Sequence, residues 1–152
     1  MINDMTLEQK IGKDLVVAMK AKDEVALRGI RAVKSALLLA KTDGSGQEID
    51  EAKEVQILQK LVKSRQESYD IYMKNGREEL AKIELEEIEV IRKYLPKMME
   101  GAELEAVIRT IIQEVGATSA KDMGKVMGTA NKQLAGKAEG KMIADTVKAL
   151  LS

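Results

Sequence analysis

Apolar residues along the chain recur every three or four positions rather than in alternation, which marks helices with one buried face. Leu7, Ile11, Leu15, Ala18 and Met19 form the first such stripe, behind the capping-box pattern Thr6-Leu7-Glu8-Gln9. They predict a helix over about 6–21. Asp23 is placed to cap a second helix, carrying Ala26, Ile30, Val33, Leu37 and Ala40 and stopping near Lys41. Thr42-Asp43-Gly44-Ser45-Gly46 reads as a turn-rich loop. From Asp50 a long helix presents Val55, Leu58, Val62, Tyr69 and Tyr72 on one side and stops at Asn75-Gly76. Its roughly 25 residues span nearly 40 Å.

A fourth helix over about 77–93 turns Leu80, Ile83, Ile88 and Ile91 toward a bundle and ends at Tyr94-Leu95-Pro96, because the residue before a proline is pushed out of helical conformation. Pro96 is the single proline and is taken as the boundary between subdomains 1–95 and 96–152. Three shorter helical patterns follow. Leu104, Ile108, Ile111 and Val115 end at Gly116. Met123, Val126, Met127, Ala130 and Leu134 stand between a Ser119/Asp122 capping pattern and Gly136. Ile143, Val147, Leu150 and Leu151 come after Gly140. The expected fold is all-α: an N-terminal bundle with one long helix and a C-terminal three-helix tail.

Composition narrows the chemistry. Three tyrosines are the only aromatics, so the core is built from aliphatic residues and nine methionines, a palette suited to helices. Twenty-five basic residues balance twenty-five acidic ones, so any polyanion must be met by local charge segregation. Zero Cys and zero His remove the commonest nucleophile–base pairs and transition-metal ligands. Met1 to Lys10 contains no apolar run of signal-peptide length, and no segment approaches the roughly 20 apolar residues that cross a bilayer. The cytoplasm is the expected compartment, with no membrane and no DNA as partner.

Specific constellations are mostly negative. The acidic stretch Glu84-Leu85-Glu86-Glu87-Ile88-Glu89 lacks the histidines of helical di-metal sites and reads as a solvated face. Asp43 to Glu48 has Glu where a calcium loop needs Gly at its sixth position. Gly136-Lys137 lacks the upstream glycine of a phosphate-binding loop. Ser35 beside Lys34 and Ser64 beside Lys63 are neighbours in sequence, and adjacent positions on a helix do not face each other. No catalytic residue and no cofactor are expected.

The stretch 117–152 sets Lys121, Lys125, Lys132, Lys137, Lys141 and Lys148 against Asp122, Glu139 and Asp145, a local excess of +3. Gly136 and Gly140 bracket a turn there, and amides with lysines at the next helix's N-terminus suit a phosphate. A capped turn with solvated lysines accounts for the same residues. Met98, Met99, Met123, Met127 and Met142 concentrate in this region, either as core filler or as an adaptable partner surface.

The string Asp122-Met123-Gly124-Lys125-Val126-Met127, followed by Gly136-Lys137-Ala138-Glu139-Gly140-Lys141 and Val147-Lys148-Ala149-Leu150-Leu151, resembles the YqeY family. That family is similar to the C-terminal tail of the B subunit of tRNA-dependent glutamyl/aspartyl-tRNA amidotransferase. Lys60 to Tyr69, Gly76-Arg77-Glu78-Glu79-Leu80 and Tyr94-Leu95-Pro96 extend the resemblance over nearly the whole chain. Ala135 stands where a lysine is expected, and Glu139 where Asp is usual.

The resemblance implies a tail that holds folded tRNA while other domains do the chemistry. A carbon–nitrogen ligase label with glutamine as amido donor would then be inherited rather than performed. Expected partners are tRNA, or amidotransferase or tRNA-synthetase components. Candidate RNA contacts are Lys121, Lys125, Lys132, Lys137 and Lys141, with Gly136 and Gly140. The alternative is a protein-interaction adaptor with no RNA ligand.

Overall fold

The computed structural model describes residues 5–44 and 48–152 and is all-α. Met1–Asp4 and Ser45–Gln47 lie outside the described residues, and with them the start of the chain and the Ser45-Gly46 end of the expected turn-rich loop. The chain divides into two compact units, Met1–Pro96 and Lys97–Ser152.

The first unit contains α1 (Leu7–Ala21), α2 (Glu24–Lys41), α3 (Glu51–Lys74) and α4 (Glu78–Arg92). Its helix starts are set locally. Thr6 Oγ1 accepts from the Gln9 amide at 3.2 Å, and Gln9 Oε1 accepts from the Thr6 amide at 3.1 Å, completing the capping box. Asp23 caps Ala26 at 3.1 Å and Asp50 caps Lys53 at 2.8 Å. Between α1 and α2 the chain turns in two residues. Lys22 takes a left-handed conformation, φ 55°, and the Lys22 and Asp23 amides donate to the Met19 and Ala18 carbonyls. So short a connection makes α1 and α2 an antiparallel hairpin, and the Lys41–Glu8 ion pair closes its far end.

Ile11, Ala18, Ile30, Val33, Leu37, Leu58, Val62, Ile88 and Ile91 form the core of this unit. Two helices approach closely at Gly29 of α2, where an added Cβ would lie 2.5 Å from Val90 Cβ. The absent side chain lets α2 cross α4 there and buries Val90, which the sequence pattern does not nominate. Ile83, expected to face the bundle, is instead 40% exposed. It lies on the same helical face as Val90 but two turns earlier, outside the crossing marked by Gly29–Val90 and the Arg28–Glu86 pair. Met19, expected in the α1 stripe, is also exposed, because the buried line runs through Leu7, Ile11 and Ala18 and Met19 is a further 100° around the helix.

The second unit is a three-helix bundle of α5 (Gly101–Val115), α6 (Met123–Gln133) and α7 (Gly140–Leu151), each packed on the other two. Leu104, Ile108, Ile111, Val126, Ala130, Leu134, Ile143 and Val147 fill its core. Gly116, φ 69°, closes α5, and the Ala117 amide donates back to the Ile112 carbonyl. The capping pattern at Ser119 takes a tighter form than expected. A 3-10 turn, Ala120–Asp122, precedes α6, so Ser119 Oγ accepts from Lys121 N, and Asp122 Oδ2 accepts from the Thr118 amide at 2.9 Å.

Candidate functional site

The lysines of the second unit fall into two groups. Lys125 and Lys132 are seven residues apart, hence two turns apart on one face of α6, about 10 Å along the axis. That face is opposite Val126, Ala130 and Leu134, which point into the core. Lys121 precedes Lys125 by four residues on the 3-10 turn, so the three continue one outward row, and their spacing is the sequence signal for it. Gly128 lies between Lys125 and Lys132, and Gly124 beside the row, each with open space where a Cβ would be. None of the three lysines has an ion-pair partner among the described residues, and all three are exposed.

Asp122 is the acid next to the row in sequence. Its carboxyl is held below the usual range, first by the Thr118 amide hydrogen bond and also by Lys125. The carboxylate thus turns back onto its own backbone and remains ionised as a helix-start anchor. Charge is otherwise segregated: α5 carries Glu103, Glu105 and Glu114 with only Arg109, which pairs with Glu105 at 2.7 Å.

Lys137 lies in the α6–α7 turn, and Lys141 in the first turn of α7. Gly136 has φ 77°, a conformation that glycine adopts without steric cost. The Lys137 and Ala138 amides both donate to the Leu134 carbonyl, at 2.9 and 3.2 Å, and the Lys137 carbonyl accepts from the Met99 amide at 2.7 Å. The turn therefore spends the Lys137 and Ala138 amides on the end of α6. Gly140 has no positive φ; it opens α7 behind Glu139, whose carboxylate adds negative charge at that helix N-terminus. Met99, Met123, Met127 and Met142 pack against the buried cluster, so these methionines serve as core filler.

In the first unit the acidic stretch is structural. Glu86 Oε1 binds Arg28 at 3.1 Å, and Glu87 lies 3.8 Å from Arg28 and 3.4 Å from Arg65. Burial pushes the Glu84 carboxyl up, Glu87 adds to this, and Arg65 opposes it. Ser35 and Ser64 are exposed and make no hydrogen bond to a lysine. An open cleft of about 620 Å³ is bordered by Lys10 and Lys93 as well as Glu51 and Glu54, with no net charge, and Glu54 Oε2 already accepts from the Leu7 amide. Among the described residues no three His, Cys, Asp or Glu side chains gather to hold a metal ion, and no helix is long and apolar enough to cross a membrane.

Comparison with known proteins places this geometry in context. The family model described as Yqey-like protein matches residues 8–151. Among curated relatives, Altered inheritance of mitochondria protein 41, mitochondrial, of Lachancea thermotolerans is 32% identical over 105 residues, 68% of this chain and 56% of that protein. Its namesake in Vanderwaltozyma polyspora is 36% identical over 86 residues, 57% of this chain and 46% of its own length. The Saccharomyces cerevisiae protein is 32% identical over 92 residues, 60% and 50% of the two chains. The chain thus spans about half the length of the curated relatives it matches.

These relatives correct the expected cytoplasmic address, since each is named as a mitochondrial protein. The lack of a long apolar run bears on insertion into a bilayer and does not distinguish one aqueous compartment from another. A helical chain matched by the family model from the start of α1 to the end of α7 belongs to the YqeY family.

Proposed function

We propose that the second unit binds a folded RNA, tRNA in the first instance, through backbone phosphates along the outward face of α6. The observation that carries this reading is the row Lys121, Lys125, Lys132, exposed and without ion-pair partners among the described residues, on a face where Gly124 and Gly128 leave room for a close approach. Lysine is a point donor suited to phosphate, and three at intervals of one and two helical turns suit the regular repeat of a nucleic-acid backbone. With three aromatic residues in the chain, all in the first unit, stacking on unpaired bases contributes little. Recognition is then by the shape and charge of a folded strand.

The resemblance to the amidotransferase B-subunit tail supports tRNA as that strand. On this reading the chain holds RNA and performs no chemistry, and amidotransferase or synthetase components are the natural company for such a module. The test is fluorescence anisotropy of labelled bulk tRNA titrated with the full chain and with the double variant Lys125→Glu, Lys132→Glu. Saturable binding that the double variant loses by about tenfold or more supports the reading. Equal binding by both proteins, or none by either, ends it.

A further inference from the structure

We infer that the outward face of the α1–α2 hairpin docks an acidic amphipathic helix of a partner protein. Four large apolar side chains stand in solvent there: Val16 at 49% and Met19 at 55% on α1, Leu38 at 61% and Leu39 at 70% on α2. Scattered exposed apolar residues are ordinary, but these share two adjacent antiparallel helices. Counting equal numbers of residues from the Lys41–Glu8 pair places Leu38 at the level of Ile11 and Gly12, and Arg31 at the level of Ala18. Gly12 is exposed with nothing within 4 Å of a would-be Cβ, so the chain leaves open space at that level. From Gly12 to Lys20 the face runs about 12 Å, long enough for two turns of a docked helix.

Charge selects the occupant. Lys13, Lys20, Arg31 and Lys34 are interspersed among the apolar positions, are exposed, and form no ion pair among the described residues. The acids of the hairpin are mostly committed elsewhere. Glu8 pairs with Lys41, Asp14 accepts from the Tyr94 hydroxyl, and Asp23 caps α2. The face is thus apolar and cationic together. A second copy would bring like charges into contact. An RNA backbone would leave Val16, Leu38 and Leu39 without apolar cover. A lipid surface favours a continuous apolar stripe, whereas here lysines at positions 13 and 34 lie between Leu38 and Val16. An amphipathic helix with leucines at i, i+4 and i+7 and glutamates on its flanks meets both features.

The test uses the full chain and a fluorescein-labelled helical peptide of about 18 residues, with leucines at that spacing and glutamate flanks, beside a control with lysine flanks. The expected result is saturable binding of the glutamate peptide alone. It should weaken about tenfold with Val16→Glu plus Leu38→Glu, and similarly with Lys13→Glu plus Lys34→Glu, while circular dichroism stays unchanged because all four residues are exposed. Binding that ignores both pairs of substitutions, failure of the glutamate peptide to saturate, or preference for the lysine peptide overturns the proposal. So do association with phosphatidylserine vesicles in place of the peptide, which assigns the face to lipid, and self-association lost on Leu38→Glu, which assigns it to a second copy. Bulk tRNA binding should be unaltered in the Val16/Leu38 variant, so failure here and failure of the RNA reading are separable.

Discussion

The Tyr94 hydroxyl donates a 2.7 Å hydrogen bond to Asp14 Oδ2, linking the segment just after α4 to the middle of α1, eighty positions earlier. Lys10 adds its ammonium 5.6 Å from the centroid of the same ring. One side chain at the end of the first unit is therefore held both by a carboxylate acceptor and by a cation over its face.

Burial first, then the hydrogen bond to Asp14 and its charge, raise the Tyr94 pKa above the ordinary tyrosine value. A raised folded-state value means that the unfolded chain loses this proton first as pH climbs. The stabilisation is then fully present below about pH 10 and declines above it. Tyr94→Phe should cost about 1 kcal/mol at neutral pH, from the lost charge-assisted bond. It should also flatten the decline in stability above about pH 10. Urea denaturation at neutral and alkaline pH checks both; identical pH profiles for parent and variant would count against the Asp14 link.

Gly29→Ala should destabilise the first unit by about 1–3 kcal/mol, because the new methyl group meets Val90 Cβ and Cγ1 at 2.5 Å. Trimming the opposing side chain should recover part of this, so that Gly29→Ala with Val90→Ala is less unstable than the sum of the two single changes. A double-mutant cycle by chemical denaturation measures that coupling. Additive costs would mean that the helices separate freely at the crossing.

The parts of this fold legible in the sequence are those decided within one turn of chain. Thr6 with Gln9, Asp23, Asp50 and Gly116 mark helix ends because a cap needs partners only two to four residues away. Gly29 shows the opposite case: its neighbour Val90 is sixty-one positions distant, and no local period announces that two helices touch there. Ile83 was misplaced for the same reason, since its exposure depends on where α2 crosses α4. At the candidate site, the i, i+4, i+11 spacing of Lys121, Lys125 and Lys132 was readable as one face. The commitment of the Lys137 and Ala138 amides to the Leu134 carbonyl was not, because Gly136 at the end of a helix is compatible with several turn forms.

The glycines of the second unit should respond in three ways. Gly136→Ala should lose about 1 kcal/mol, since φ 77° is strained for any residue with a Cβ. Gly140→Ala should be nearly neutral, as it occupies the first position of α7 with open space around it. Gly128→Ala should gain about 0.5–1 kcal/mol, because this glycine lies inside a helix and makes no close packing contact. Thermal melts of the full chain, followed by circular dichroism, order the three. A destabilising Gly128→Ala would show that the helix needs glycine there for a structural reason.

The lysine row and the turn lysines make separable predictions for RNA. If phosphates lie along the outward face of α6, Lys125→Ala and Lys132→Ala should each weaken tRNA binding to a similar extent whatever the sequence. Each should also lower the slope of log affinity against log salt by about 0.9, the duplex counterion value used as a guide. Lys121→Ala should do the same, since it extends the row by one turn. Lys137→Ala and Lys141→Ala should have smaller effects, because the Lys137 and Ala138 amides are spent on Leu134 and Glu139 opposes a phosphate at the start of α7. Stability should stay within about 0.5 kcal/mol for each, as all five side chains are exposed. Filter binding of the five single variants at two salt concentrations ranks them. A ranking in which Lys137 and Lys141 dominate would move the RNA from the helix face to the turn, and a flat salt slope across all five would remove phosphate contacts from this unit altogether.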